Sequence, residues 1–147
     1  TLSSGVWYNI IFTYDGSRLN TGMNLYVNGA IQSGSRSGNF YTGSMITTLP
    51  FNIGARNNGE LPLNGNIDET AIFNSELSAT DIEAIYNNGV PNNLNELSTL
   101  PTIWYRMGEA ATFDGIRDWD LVDQGTGGND AVTQNIAETE RVTDVPT

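Results

Sequence analysis

The sequence predicts an all-β fold of short antiparallel strands joined by polar turns. Residues 7–14 alternate so that Tyr8, Ile10, Phe12 and Tyr14 share one face, and the run is rich in aromatic and β-branched side chains. Residues 23–28 repeat the pattern, and Asn28-Gly29 then supplies the two positive φ angles that a type I′ hairpin needs. Sixteen glycines fit many turns better than long helices.

Further strands are predicted at residues 49–54 and 65–74, and a second apolar stretch follows at residues 103–107. The only strong helix candidate is residues 78–87. Ser78 is its predicted N-cap, with Asp81 three residues on, and Leu77 and Ile82 form a hydrophobic staple. Gly89 suits a left-handed C-terminal position, and Pro91 prevents continuation.

Composition excludes several classes of function. The net charge of −11 repels nucleic acid and anionic lipid, so neither is expected as a partner. With no Cys and no His, the chain has neither disulfides nor a Ser-His-Asp or Cys-His catalytic arrangement. No apolar run is long enough to span a bilayer. The opening residues read like the middle of a domain, so we expect a longer polypeptide.

Five motifs occur in an order that resembles the laminin G-like members of the concanavalin A-like lectin/glucanase superfamily. They are WYNIIFTYDG (7–16), LYVNG (25–29), FNIGA (51–55), LNGNIDETAIFN (63–74) and ELSATDIEAIYNNG (76–89). The resemblance implies a jelly-roll β-sandwich of two antiparallel sheets with one short helix. It also implies that the opening half of such a domain lies upstream of residue 1.

The C-terminal segment resembles the opening of the same family, although it follows the closing helix. The motifs are WYRMGE (104–109) and DQGTGGNDAV (123–132). We therefore predict a C-terminal half-sandwich at 1–90, a connection at 91–102, and a permuted, exchanged or truncated second module at 103–147. The WYRMG-type ending is also similar to tailed-phage and marine viral structural proteins, which suggests a virion component.

The resemblance to glucanases raises the question of catalysis. The family's catalytic strand resembles Glu-x-Asp-x-x-Glu, and alignment on Asp68 places Asn66 and Ala71 at the two glutamate positions. If Asp68 and Glu69 lie next to each other on a strand, their side chains point to opposite faces and serve no common substrate. We therefore predict that the chain is not an enzyme.

Two groups of acidic residues are candidates for structural Ca²⁺, which prefers six to eight oxygen ligands. Asp68 is the first, because the resemblance places the family's Ile-Asp-Glu strand near a metal. The second is the set of Asp118, Asp120, Asp123 and Asp130 in a Gly-rich loop. The alternatives are that Asp68 accepts hydrogen bonds from backbone amides and that the loop is simply solvated.

A sugar site on a lectin-like fold combines an aromatic platform with amide and charged side chains in loops. The candidate ligand-binding residues are Phe40, Tyr41, Arg56, Asn57, Asn58 and Trp119.

Two functions remain open at this point. The first is a structural or decoration module of a virion or extracellular surface, bound to copies of itself or to other surface proteins, since exposed sheet edges recruit strands. The second is a carbohydrate-binding or adhesion module, assisted by calcium.

Overall fold

The computed structural model describes residues 2–34, 48–56, 59–142 and Pro146. The chain divides into two compact units. The first unit comprises Thr1–Gly43, Phe73–Pro101 and Pro146–Thr147, and the second comprises Ser44–Ile72 and Thr102–Val145.

The first unit contains a three-stranded antiparallel sheet in the order β1-β2-β3, formed by β1 (Ile10–Tyr14), β2 (Met23–Val27) and β3 (Ala30–Ile31). In β1 and β2, Ile10 lies opposite Val27 and Tyr14 opposite Met23. The turn between β2 and β3 has φ of 50° at Asn28 and 73° at Gly29, as the predicted Asn-Gly hairpin requires. Gly29 is also required by space, because an added Cβ would lie 2.8 Å from the ring of Tyr86.

Helix α1 (Ala79–Tyr86) confirms the predicted helix. The Ser78 hydroxyl oxygen accepts a hydrogen bond from the Asp81 amide, which is the N-cap that the sequence predicted. The helix ends at Tyr86 with Asn87 as its left-handed C-cap, φ 40°, and Gly89 also has the predicted left-handed conformation, with φ of 92°. Two further one-turn 3₁₀ helices follow at Asn87–Gly89 and Leu94–Glu96, and another precedes β2 at Asn20–Gly22.

The core of the first unit lies between α1 and one face of the sheet. Ile11, Leu77 and Ile82 are buried together. Tyr26, Phe73 and Ile85 pack against them as partly buried neighbours.

The second unit contains two small antiparallel sheets. One pairs β4 (Thr70–Ile72) with β5 (Ile103–Tyr105), and Ala71 lies opposite Trp104. The other has the order β6-β7-β8, with β6 (Thr112–Phe113), β7 (Trp119–Leu121) and β8 (Ala131–Val132). A 3₁₀ turn follows at Glu138–Glu140. The C-terminal segment thus pairs with an earlier strand of the same chain, while the predicted domain boundaries stay a prediction.

The described residues confirm a mostly β fold with one short helix, consistent with a concanavalin A-like β-sandwich. The strand predicted at 49–54 is wrong: these residues form no strand in the structure, and Gly54 has φ of 78°, which interrupts an extended backbone. The strand predicted at 65–74 shrinks to β4, because Glu69 has φ of 51° and ends the extended backbone.

The carboxylate of Asp81 connects α1 to the segment that follows it. It accepts hydrogen bonds from the hydroxyls of Ser78, Ser98 and Thr99, at 2.8–3.0 Å, and from the Ser98 amide at 3.2 Å. Burial pushes the pKa of Asp81 up, but the hydrogen bonds from Ser98, Ser78 and Thr99 outweigh it and leave the pKa below its usual value.

We expect Asp81→Asn to lower the free energy of unfolding by about 2 kcal/mol, because an amide cannot accept from all these donors and loses the charge that strengthens them. Urea denaturation measures this. Glu76→Gln is the control, since Glu76 is exposed, and should change the value by less than about 0.5 kcal/mol. Equal effects of the two substitutions would show that the Asp81 network is not stabilising.

Candidate functional site

The first unit exposes an unusually apolar sheet surface. Ile10, Phe12 and Leu25 are 56 %, 63 % and 42 % exposed. The alternation of β1 and the register with β2 place six apolar side chains on one face, which we call the apolar sheet face: Ile10, Phe12, Tyr14, Met23, Leu25 and Val27. The face carries no charged group, although the chain has 17 acidic residues.

The opposite face of the same sheet is the one that the core uses. Ile11 and Thr13 of β1 are buried, whereas Ile10 and Phe12 are exposed. The sequence pattern identified the face of Ile10 and Phe12 correctly, but the structure places it outward. Exposed apolar patches of folded proteins are candidates for interaction sites.

A second cluster surrounds Asp68 in the second unit, at the end of the small sheet where β4 begins and β5 ends. One Asp68 oxygen accepts from the Glu69 amide at 2.9 Å. The Glu69 carboxylate accepts from the Trp104 indole N–H at 2.7 Å and from Arg106 Nε at 3.1 Å. Arg106 also pairs with Glu109 at 3.4 Å. The prediction that Asp68 and Glu69 lie on a strand is wrong, because β4 begins at Thr70, so their separation onto two faces does not apply.

Burial raises the pKa of Asp68, and the negative charges of Glu69 and Glu109 add to the rise. The Glu69 amide and the Arg106 guanidinium act in the opposite direction without cancelling it. Both oxygens of Glu69 already accept hydrogen bonds, and Arg106 supplies the positive charge beside them. The cluster is therefore an internally paired network.

The acidic loop does not bring its four aspartates to one point. Asp123 is buried, and its carboxylate accepts from the amides of Trp104, Gly125 and Asn129 at 2.8–2.9 Å. Burial pushes the pKa of Asp123 up, but the amides of Asn129, Trp104 and Gly125 outweigh it, so the pKa is lowered.

The other three aspartates have separate surroundings. Asp130 accepts from the Asp123 amide, and Asp118 accepts from the Asn135 amide and pairs with Arg117. Asp120 is exposed on β7. In the part of the chain that the structure describes, no three acidic side chains are grouped to hold a metal ion. A structural calcium site stays a prediction. The Asp123 carboxylate oxygens, which would ligate the ion, already accept hydrogen bonds from backbone amides.

A third aspartate network was not predicted. Asp114 accepts from the amides of Ile116, Arg117 and Asp118, at 2.7–3.1 Å, and these bonds lower its pKa. The Asp114-Gly115 pair between two short strands is the turn signal that could have identified it.

Of the six predicted sugar-binding residues, the structure describes two, Arg56 and Trp119. Phe40, Tyr41, Asn57 and Asn58 lie outside the described residues. Arg56 is exposed, and its amide donates a hydrogen bond to the Glu60 carbonyl.

The sequence suggested that Trp119 lies in a polar loop, but the structure places it on a strand. It belongs to β7, is 9 % exposed, and packs against Phe113 with ring centroids 5.2 Å apart. The Arg141 guanidinium lies 5.7 Å from its ring centroid. Neighbouring side chains thus cover most of the Trp119 ring, and its role as a sugar platform stays a prediction.

A groove of about 690 Å³ lies beside α1 in the first unit, between the helix and the β2–β3 turn. Its polar lining includes the amides of Asn28, Asn87 and Asn88, the Glu83 carboxylate and the Tyr86 side chain. The Asn28 oxygen already accepts from the Asn9 amide, whereas Glu83 and Asn88 are exposed.

The short antiparallel sheets and the capped helix of the described residues are consistent with a concanavalin A-like β domain. The chain belongs to the concanavalin A-like lectin/glucanases superfamily, whose laminin G-type family model matches residues 1–83. Neither the curated proteins nor the solved structures contain a significant match to the chain. The family match does not reach residues 104–109, and no comparison supports the predicted similarity of that segment to phage proteins.

Laminin G-like domains are typically extracellular and usually mediate protein or glycan contacts without catalysis. Among the described residues, no helix has the length and apolar character to cross a bilayer.

The raised pKa of Asp68 gives a pH-dependent prediction. The folded chain holds this proton more tightly than the unfolded chain, so ionisation above the raised pKa costs stability. Asp68→Asn cannot ionise, and we expect it to raise Tm at pH 7 by about 2 °C, a small rise because solvent screens a partly exposed carboxyl. The rise should shrink as the pH falls toward 4, because Asp68 of the folded parent chain takes up its proton at a higher pH than an ordinary aspartate.

Thermal unfolding of both proteins between pH 4 and pH 7.5 measures the effect. Asp120→Asn is the matched control, because Asp120 is exposed on β7 and belongs to no described network. A Tm difference that is the same at every pH would contradict the assignment of the penalty to ionised Asp68.

Proposed function

We propose that this chain is a non-catalytic contact module of an extracellular surface and that it binds protein through the apolar sheet face. One observation carries the proposal: Ile10, Phe12 and Leu25 are exposed side by side on a charge-free face of an otherwise acidic chain. Contact surfaces between proteins are enriched in apolar and aromatic residues and depleted of carboxylates at their centres.

The family supports contact rather than chemistry. Asn66 and Ala71 stand at the two positions where the superfamily's catalytic strand has its glutamates. The nearby Asp68 and Glu69 lie in a network with Arg106. A retaining glycosidase needs two carboxylates free to flank the bond. The surface of a cell or of a virion is the setting that we propose; for a virion, the support is the resemblance of residues 104–109 alone.

Phe12 is the residue whose substitution tests the surface. We expect an apolar fluorescent dye such as anilinonaphthalene sulfonate to bind the parent chain and to lose most of its signal with Phe12→Lys, because a charge in the middle of the face interrupts the patch. Ile116→Lys is the control, since Ile116 is 80 % exposed but lies in the second unit, outside this sheet.

Circular dichroism should show that both variants stay folded, because the two side chains that they replace are already exposed. Equal dye binding by the parent chain and Phe12→Lys would contradict the proposal, because the binding surface would then lie elsewhere.

Carbohydrate binding is the second candidate, and the groove beside α1 favours it. Amides, a carboxylate and a tyrosine that converge on one groove are the groups that fix sugar hydroxyls and rings. Glu83 and Asn88 are exposed polar members of this lining, and among the described residues no side-chain hydrogen bond occupies either of them.

For this candidate we expect glycan-array signals that fall at least tenfold in Glu83→Ala and in Asn88→Ala. The loss of one charged hydrogen-bond partner corresponds to about 1.4 kcal/mol or more. Asn74→Ala is the control, an exposed amide outside the groove. The signals should persist with a chelator, since the groove lining contains only one carboxylate. A blank array with and without calcium would remove this candidate.

A further inference from the structure

We infer that the groove beside α1 takes an amino sugar, whose positive ammonium group pairs with the carboxylate of Glu83. The inference deepens the carbohydrate candidate, on which it rests, by naming the chemical class of the ligand. Among the described residues that line the groove, Glu83 alone is charged, so no Lys or Arg accompanies it there. A sugar acid would therefore meet a like charge in the groove with no cation to offset it.

The carboxylate of Glu83 is available to a ligand. The residue is exposed on α1, and in the part of the chain that the structure describes no hydrogen bond or ion pair occupies its side chain. By contrast, Asp81, two residues earlier, is buried and accepts hydrogen bonds from three hydroxyl groups. The helix thus carries one carboxylate that stabilises the fold and one that is free to bind. A carboxylate forms shorter and stronger hydrogen bonds to an ammonium group than to a neutral donor.

The amide side chains of the groove suit the hydroxyl groups of a sugar, because an amide both donates and accepts, as a hydroxyl does. Asn87 donates through Nδ2 to the Val90 carbonyl at 3.2 Å, and its oxygen stays able to accept. The Asn28 oxygen accepts from the Asn9 amide at 2.9 Å, and its NH₂ group stays able to donate. A lysine side chain has no hydroxyl for these amides, which favours a sugar over a basic peptide.

The size of the groove is that of a small-molecule site. Its volume of about 690 Å³ lies within the range of roughly 300–1,000 Å³ that such sites occupy. Small residues line it on both sides, with Ala79 and Ala84 on the helix and Gly29 on the turn. An added Cβ at Gly29 would lie 2.8 Å from the ring of Tyr86, so the glycine lets this half-buried ring lie against the turn. Aromatic rings attract ammonium groups, and Tyr86 therefore adds to the preference for a cation.

The charge of the whole chain acts in the same direction. With 17 acidic and 6 basic residues, its net charge of −11 attracts cations to the surface and repels anions. This long-range attraction is shared by all the carboxylates, whereas the pairing with Glu83 is local. Glu76 distinguishes the two effects, because it is exposed, precedes α1 and does not line the groove. Glu76→Gln removes the same charge from the chain as Glu83→Gln and leaves the groove unchanged.

Isothermal titration calorimetry of the whole chain at pH 6, where sugar amines are protonated, tests the inference. The probes are a four-unit oligomer of glucosamine, its fully N-acetylated counterpart and a galacturonic acid oligomer of the same length. We expect the amine oligomer to bind at least tenfold more tightly than the acetylated oligomer, because only the amine forms a charged pair. The acid oligomer should not bind.

Glu83→Gln should remove this preference, because the amide keeps the shape of the side chain and loses its charge. The amine oligomer should bind at least tenfold more weakly, whereas the dissociation constant of the acetylated oligomer should change by less than about threefold. Glu76→Gln should leave both constants within about twofold of the parent chain, because solvent screens an exposed charge outside the groove. Circular dichroism should show that both variants are folded, since both side chains are exposed.

The outcomes separate this inference from the function on which it rests. Equal binding of the amine and acetylated oligomers that is lost in Asn88→Ala overturns the amino sugar and leaves carbohydrate binding in the groove standing. Equal losses in Glu76→Gln and Glu83→Gln also overturn the inference, because the charge of the whole chain would then select the ligand. Tetralysine that binds as tightly as the amine oligomer overturns the assignment to a sugar. If no oligomer binds, both the inference and the carbohydrate candidate are overturned.

Discussion

The packing of α1 against one face of the first sheet is the contact on which the functional surface depends. Ile82 and Leu77 bury Ile11, so the side of β1 that carries Ile11 and Thr13 turns inward. Because successive strand residues point to opposite faces, this contact obliges Ile10 and Phe12 to point outward. The more apolar face of the strand is thereby exposed, with Ile10 and Phe12 on its surface.

Buried carboxylates hold the connections in both units. Asp81 joins the start of α1 to Ser98 and Thr99, and Asp123 joins β5 to the loop that follows β7. Each aspartate accepts at least three hydrogen bonds, which offset the cost of burying its charge. Part of the acidity of the chain therefore has a structural role, in addition to its effect on solubility.

The loop around Asp123 also shows why its glycines matter. The Gln124 amide donates to the Trp104 carbonyl and the Gly127 amide to the Thr102 carbonyl, so the loop lies against β5. A Cβ at Gly125 would lie 2.8 Å from the Thr102 backbone, and one at Gly127 would lie 2.6 Å from the Thr102 carbonyl oxygen. The Asp and Gly residues that suggested a calcium loop thus form a backbone-to-backbone contact that Asp123 closes.

The sequence by itself determined the local features whose causes lie within a few residues. The strands at 10–14 and 23–27, the Asn28-Gly29 turn and the Ser78 cap follow from alternation, positive φ and a side-chain acceptor, and each was predicted. Only the tertiary structure decided which face of β1 is buried, because α1 is more than 60 residues away in sequence. It likewise decided that Asp123 and Trp119 are internal, since their partners Trp104 and Arg141 are brought close by folding rather than by spacing. Local pattern specifies backbone conformation, whereas burial is a property of the folded chain as a whole.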